Sequence, residues 1–341
     1  MKRSILAVIV AAIIPLGQAI SSTSAQETAP LNLMKTVTLP GYSGDFDHFS
    51  VDRMRGRLLL AAEDHATLEI FDLKTGAHLR TVTGFGAPHS ILIRPNSKIV
   101  LVTDSDKMTH ILDADTYAEM GTITLTPGAD SAGYDAPNNV YYVVTGGKDV
   151  KMATAKLEAI DPDTGAKLGS IEFMDNHVEA MALEKNGPRI FINLAQTNHL
   201  AVVDRKTMKV IHTWLVAPAK QNAMVAFDEA AHRLYVVCRD PGMVVVMNSD
   251  TGAVVSTAPA PLRADEVVYN SEAHRLYVPG GEGYIGVYDT SDPNQIKELA
   301  KVKSAPGAKT AILLPDMQEM IVAVSPGESK TMAKVLTYRT Q

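Results

Sequence analysis

Two histidines, His48 and His89, stand 41 residues apart, and comparable steps along the chain reach Asp130, Glu179, the pair Asp265 and Glu266, and Lys309. Each lies at the same place relative to a recurring apolar segment that begins nine or ten residues later, and Asp47 adjoins the first of them. Only the fifth step breaks the polar series, at Met224 beside Ala223. Imidazole nitrogens and carboxylate oxygens gathered around one axis could hold a divalent metal, with His48, His89 and Glu179 as candidate ligands. The same groups could act as acid and base on a bound substrate, because crowded carboxylates and a nearby histidine acquire separated pKa values. A second series, His65, Asp104, Arg239 and Glu282, follows the apolar segments, accompanied by Glu63, Asp64, Asp106 and Asp240. A polar rim of this kind is also what a water-filled channel requires with no ligand at all.

The elements that must position these residues are repeats. One strand pattern recurs as Arg57-Leu58-Leu59-Leu60, Lys98-Ile99-Val100-Leu101, Asn139-Val140-Tyr141-Tyr142, Arg189-Ile190-Phe191-Ile192, Arg233-Leu234-Tyr235-Val236, Arg275-Leu276-Tyr277-Val278 and Glu319-Met320-Ile321-Val322. A second strand follows each and ends at Asp72, Asp113, Asp161, Asp204, Asn248, Asp289 and, degenerately, Arg339. Turns such as Asp72 to Gly76, Asp161 to Gly165 and Asn248 to Gly252 end in a glycine that takes positive φ at low cost. An inner strand (Met224–Phe227 in the fifth repeat) and an outer strand (Leu79–Val82 in the first) complete each unit. Four short strands per ~40–50 residues, without helical periodicity, are the mark of a propeller blade.

The chain ends predict closure. The last repeat stops after its third strand, whereas Met34 to Leu39 reads as an orphan outer strand resembling Met120 to Leu125. The expected fold is all-β: one closed seven-bladed β-propeller of four-stranded antiparallel blades over 26–341, its N-terminal strand completing the last blade and removing free edges.

Composition bounds the function. Of 341 residues, 46% are hydrophobic and 21% charged, which fits a globular core. The 32 basic residues against 38 acidic ones lack the bulk positive charge of a nucleic-acid binder. A single cysteine, Cys238, excludes an internal disulfide framework and cysteine-based metal centres, and its apolar strand makes it a small buried hydrophobe. Lys2 and Arg3, an apolar run of 12 residues from Ile5 to Leu16, and Thr23-Ser24-Ala25 have the order of a secretory signal peptide over 1–25. The run is too short for a bilayer and no later one is longer, so the mature chain is expected to be a periplasmic or secreted monomer.

The Arg/Asn-x-Tyr-Val strand followed by Asp-x-x-Thr-Gly resembles the YVTN repeat of extracytoplasmic propellers, including the YncE-like proteins. Val140-Tyr141-Tyr142-Val143-Val144-Thr145, Leu234-Tyr235-Val236-Val237 and Leu276-Tyr277-Val278 carry it best, and it covers essentially the whole mature chain. The resemblance implies a secreted or periplasmic binding propeller with no single family reaction. Trp214 stands alone, against the blade-by-blade tryptophans of quinone dehydrogenase propellers and WD repeats, and glycine pairs are too few for kelch repeats.

Linear motifs give little. Gly281-Glu-Gly283-Tyr-Ile-Gly286 has no helix to receive a pyrophosphate, Gly146-Gly147-Lys148-Asp149 lacks P-loop spacing, and Gly41-Tyr-Ser43-Gly44 is no nucleophile elbow. His177-Val-Glu179 lacks the second histidine of a zincin, and Asp161-Pro-Asp163 reads as a capped turn rather than a calcium loop. His232 and His274 recur before Arg-Leu-Tyr-Val, which points to a turn requirement. The sequence therefore favours a non-enzymatic propeller that binds a small ligand or a protein through the loops around its channel. Its rivals are a metal-dependent hydrolase of the lactonase or gluconolactonase type, whose metal would activate water, and a redox accessory or cofactor-carrying propeller with His48 or His89 as an axial ligand.

Overall fold

In the computed structural model the described residues are Met1, 29–106, 108–327 and 332–341; the leader expected at 1–25 falls outside them apart from Met1. Seven four-stranded sheets form blades whose strands run antiparallel in chain order from the inside outward. In blade 1 these are Phe49–Asp52, Arg57–Ala62, Thr67–Asp72 and His78–Thr83. The seventh blade takes Ala308–Leu314, Glu319–Val324 and Ala333–Thr340 from the C-terminus and its outer strand, Leu31–Leu39, from the N-terminus. Leu31 pairs with Thr340 and Leu39 with Ala333, so the expected closure holds, three residues longer than the orphan segment suggested.

The second strand of each blade is apolar on both faces because it lies between two neighbouring blades. Alternation along Arg57–Ala62 sends Leu59 toward Val100 and Val102 of blade 2, while Leu58 and Leu60 pack with Ile321 and Ala323 of blade 7. The same division recurs at Phe191 against Leu234 and Val236, and at Tyr235 and Val237 against Leu276 and Val278. Leu59, Leu60 and Leu68 have no exposed surface, and burial of each stabilises the ring by ~1.5–3 kcal/mol. Among the described residues no helix is long and apolar enough to cross a membrane.

The turns between third and outer strands follow their predicted chemistry. Asp72 Oδ1 accepts hydrogen bonds from the amide and hydroxyl of Thr75, both at 2.7 Å, and Asp204 and Asn248 do the same for Thr207 and Thr251. Gly76, Gly165 and Gly252 take φ values of 67°, 71° and 72° at the following position, which Tyr117 and Met208 fill in blades lacking the glycine. Asp161 caps its turn through the amide of Asp163. His232 and His274 have φ of 55° and 49°, so they serve a left-handed turn position.

Candidate functional site

The first residues of the inner strands, and the loops between second and third strands, emerge together at one mouth of the central channel. There they surround a recess of about 910 Å³, counted to its opening, that draws side chains from six blades, with Lys309 of blade 7 bonded to its wall. Asp47 and His48 precede the inner strand of blade 1; His89 lies in that of blade 2, and Asp130 just before that of blade 3. Glu179 and Met224 come from blades 4 and 5, Asp265 and Glu266 from blade 6, and Lys309 from blade 7. The repeat register thus brings the inner series to the mouth, except that Glu266 lines a neighbouring cavity and faces the site from behind His48.

One side of the mouth is an ion-pair chain across five blades. Lys309 Nζ donates to Asp45 Oδ2 at 2.8 Å and to Asp265 Oδ2 at 2.7 Å. Arg239 donates to Asp265 Oδ1 at 2.5 Å, to Glu179 Oε1 at 3.0 Å and to the Ala264 carbonyl at 3.1 Å. His177, just before the inner strand of blade 4, reaches the same Glu179 oxygen. Burial opposes the charge on Lys309, but Asp265 and Asp45 outweigh it and push its pKa up. Glu179 is likewise held below its ordinary value, with His177 and Arg239 overcoming burial.

The other side is built on Asp47. His89 Nδ1 lies 2.5 Å from Asp47 Oδ2 and 3.6 Å from Asp130 Oδ1; its Nε2 is 2.6 Å from Ser105 Oγ and 4.0 Å from Glu63 Oε1. His48 Nε2 is 3.6 Å from Asp47 Oδ1, and its Nδ1 is 3.6 Å from Glu266 Oε2. Burial pushes Glu63 up to about 7 and Asp130 up to about 6, with neighbouring carboxylates adding to both. Burial works against charge on His48 and His89, yet the surrounding carboxylates, Asp47 foremost, raise both to about 10. Asp47 is driven well below the usual carboxylate range, since His48 and His89 outweigh its burial.

The chain Asp47, His89, Ser105 has hydrogen-bond distances suited to a nucleophile relay. An imidazole that stays protonated to about pH 10 has no lone pair with which to take the serine proton. At neutral pH the arrangement is therefore a donor array rather than a base.

The outer-loop candidates divide. Arg239 belongs to the mouth, but three others are not brought there. Asp104 turns into its own loop, accepting the amides of Gly86 at 2.6 Å, Ala87 at 2.9 Å and Asp106 at 3.1 Å. Glu282 accepts the Leu262 amide at 2.6 Å, and the His65 ring packs on Tyr42 with centroids 4.3 Å apart. Of the metal candidates, Glu179 has one oxygen shared by His177 and Arg239, and it is Asp47 that stands between the two histidines.

Four residues of the site went unassigned from the sequence: Asp45, Ser105, Lys148 and His177. Gly146 and Gly147, at φ 80° and 91°, let the blade 3 loop pass so close to blade 4 that the Lys148 amide donates to the Asn176 carbonyl at 2.7 Å. A Cβ on Gly147 would meet that carbonyl oxygen at 2.9 Å. The glycine pair and the His-x-Glu pair, uninformative as linear motifs, meet across the boundary between blades 3 and 4.

No family model matches the chain. No curated protein matches it either. Solved structures of like fold include a chain of a mitotic checkpoint complex, with 12% identity, a TM-score of 0.73, and 98% of this chain and 99% of that one covered. The WD40 repeats of RRP9 give 10% identity and a TM-score of 0.76 over 90% and 97% of the two chains. U3-55K gives 11% and 0.74 over 89% and 98%. At such identities the likeness is one of fold: a seven-bladed β-propeller.

Proposed function

We propose that this chain is an extracytoplasmic binding propeller of the YVTN or YncE-like kind, which receives a small polar ligand or the charged tip of a protein partner at its mouth. The observation that carries the reading is the convergence of ionisable side chains from six blades on one recess at the channel mouth, with Lys309 of the seventh bonded to its wall. Cationic and anionic side chains both line the recess, Arg239 and Lys148 among the former and Asp47, Asp130 and Glu179 among the latter, which suits a ligand bearing both signs. The leader-like segment 1–25 supports export. A propeller of like fold in a mitotic checkpoint complex is in keeping with protein partners. Thermal-shift titration of the full chain with dicarboxylates, diamines and amino acids tests this, with E179Q and R239A in parallel. A compound should raise the melting temperature of the parent chain and fail to do so in the variants. Equal shifts in both, or no shift with any compound, would overturn the reading.

The second reading, a metal-dependent hydrolase of the lactonase type, is favoured by one observation: two imidazoles and several carboxylates share the Asp47 side of the recess. Release of acid from a lactone series by metal-supplemented protein, absent in D47N, would establish it.

A further inference from the structure

The two walls of the mouth are neutralised differently. Arg239 and Lys309 are committed to Glu179, Asp265 and Asp45. The opposite wall places four carboxylates, Asp47, Glu63, Asp130 and Glu266, around only two imidazoles. Among the described residues every ion pair of these four carboxylates is to one of the two histidines, so no lysine or arginine is committed to that wall. Oxygen and nitrogen donors without a fixed cation of their own are the surroundings a divalent cation requires.

The geometry agrees. Asp47, Glu63 and His89 each offer a ligand atom within 4.8 Å of the other two, and Asp47, His48 and Asp130 form a second set meeting the same limit. Asp47 is common to both because its Oδ2 faces His89 while its Oδ1 faces His48. We propose that a divalent transition-metal ion binds at Asp47, displacing the ring protons of His48 and His89 so that both serve as nitrogen ligands, with Glu63 and Asp130 as flanking oxygen ligands. Mixed imidazole and carboxylate donors without thiolate suit zinc or manganese, whereas calcium and magnesium take all-oxygen sites. A third set, Asp104, Asp106 and His110, meets the same distance limit. There the Asp104 carboxylate already accepts three backbone amides, so the loop itself occupies its lone pairs.

This inference deepens the proposed function, since it rests on the mouth being a binding site. The test is calorimetric titration of the chelator-treated full chain with zinc and with manganese, alongside melting curves. At least one zinc or manganese ion per chain should bind, raise the melting temperature and be removed by chelator. D47N should weaken binding about a hundredfold, and H48Q and H89Q at least ~10-fold, each with circular dichroism of the parent chain. Should D47N not fold, E63Q carries the same expectation. No binding of either metal by the parent chain would overturn the proposal, as would binding unchanged in D47N but lost in D104N. The two readings fail separately. A metal-free parent whose small-ligand shift is abolished by R239A loses only the metal, and a metal-binding parent indifferent to every ligand loses only the ligand.

Discussion

Trp214 lies across the backbone of Gly252: the outer strand of blade 4 sets its only indole on the turn of blade 5, at a glycine with φ of 72°. Any Cβ there would collide with the ring, and the left-handed backbone adds ~1–2 kcal/mol of strain for an L side chain. G252A should therefore lower stability by ~2 kcal/mol or more and shift the fluorescence of this single tryptophan. Denaturant unfolding followed at the indole reads both effects, and a parent-like spectrum with parent-like stability would refute the contact.

Lys309 joins blade 7 to Asp45 of blade 1 and Asp265 of blade 6. K309M removes the cation but leaves both acids in the mouth, and the stranded charge should cost ~1–3 kcal/mol in urea unfolding. A second change, D45N, should restore part of that loss. A double variant as unstable as the two single losses combined would show that the residues act independently.

Asp104 is held at about 2, below its ordinary 3.8: burial opposes ionisation, but His110 and the amides of Ala87, Gly86 and Asp106 outweigh it. Because the folded-state value is depressed, its contribution is complete above about pH 4 and disappears as pH falls toward 2. D104N should be less stable than the parent at pH 6, and the two unfolding curves should converge between pH 4 and 2. His110, whose pKa is raised, keeps its charge throughout that window, so the convergence belongs to the carboxylate. A gap that stays constant down to pH 2 would show that the amides, not the charge, set the cost.

Burial pushes the Cys238 thiol up to about 12, and the residue has no exposed surface. Labelling by a thiol reagent at pH 8 should proceed only as fast as the protein opens. C238S should destabilise by ~1–3 kcal/mol, because the serine hydroxyl would be buried on an apolar strand between Val237 and its neighbours in the blade 4 to blade 5 core. Rapid labelling of the native chain would overturn this placement.

The legibility of the molecule in its sequence follows the repeat. Second strands such as Arg57–Ala62 were readable because they are apolar on both faces, and the Asp-x-x-Thr turns because each residue has a local partner. The inner series His48, His89, Asp130, Glu179, Asp265 and Lys309 was readable by register alone. What escaped is contact between blades. Asp45 meets Lys309 across 264 residues, and Lys148 reaches the mouth only because Gly147 passes beside Asn176 of the next blade. Asp104 and Glu282 stood in register with Arg239, yet their short carboxylates fold back onto nearby amides while the longer guanidinium spans to Glu179 and Asp265.

Leu31–Leu39, the first described strand to be synthesised, pairs only with Ala333–Thr340, the last. Ribosomal synthesis can thus finish six blades before the seventh has a rim, and the ring locks only when Ala333–Thr340 has emerged. A stop codon placed before Ala333 would leave a horseshoe with two sticky edges, visible as concentration-dependent association rather than as a smaller monomer.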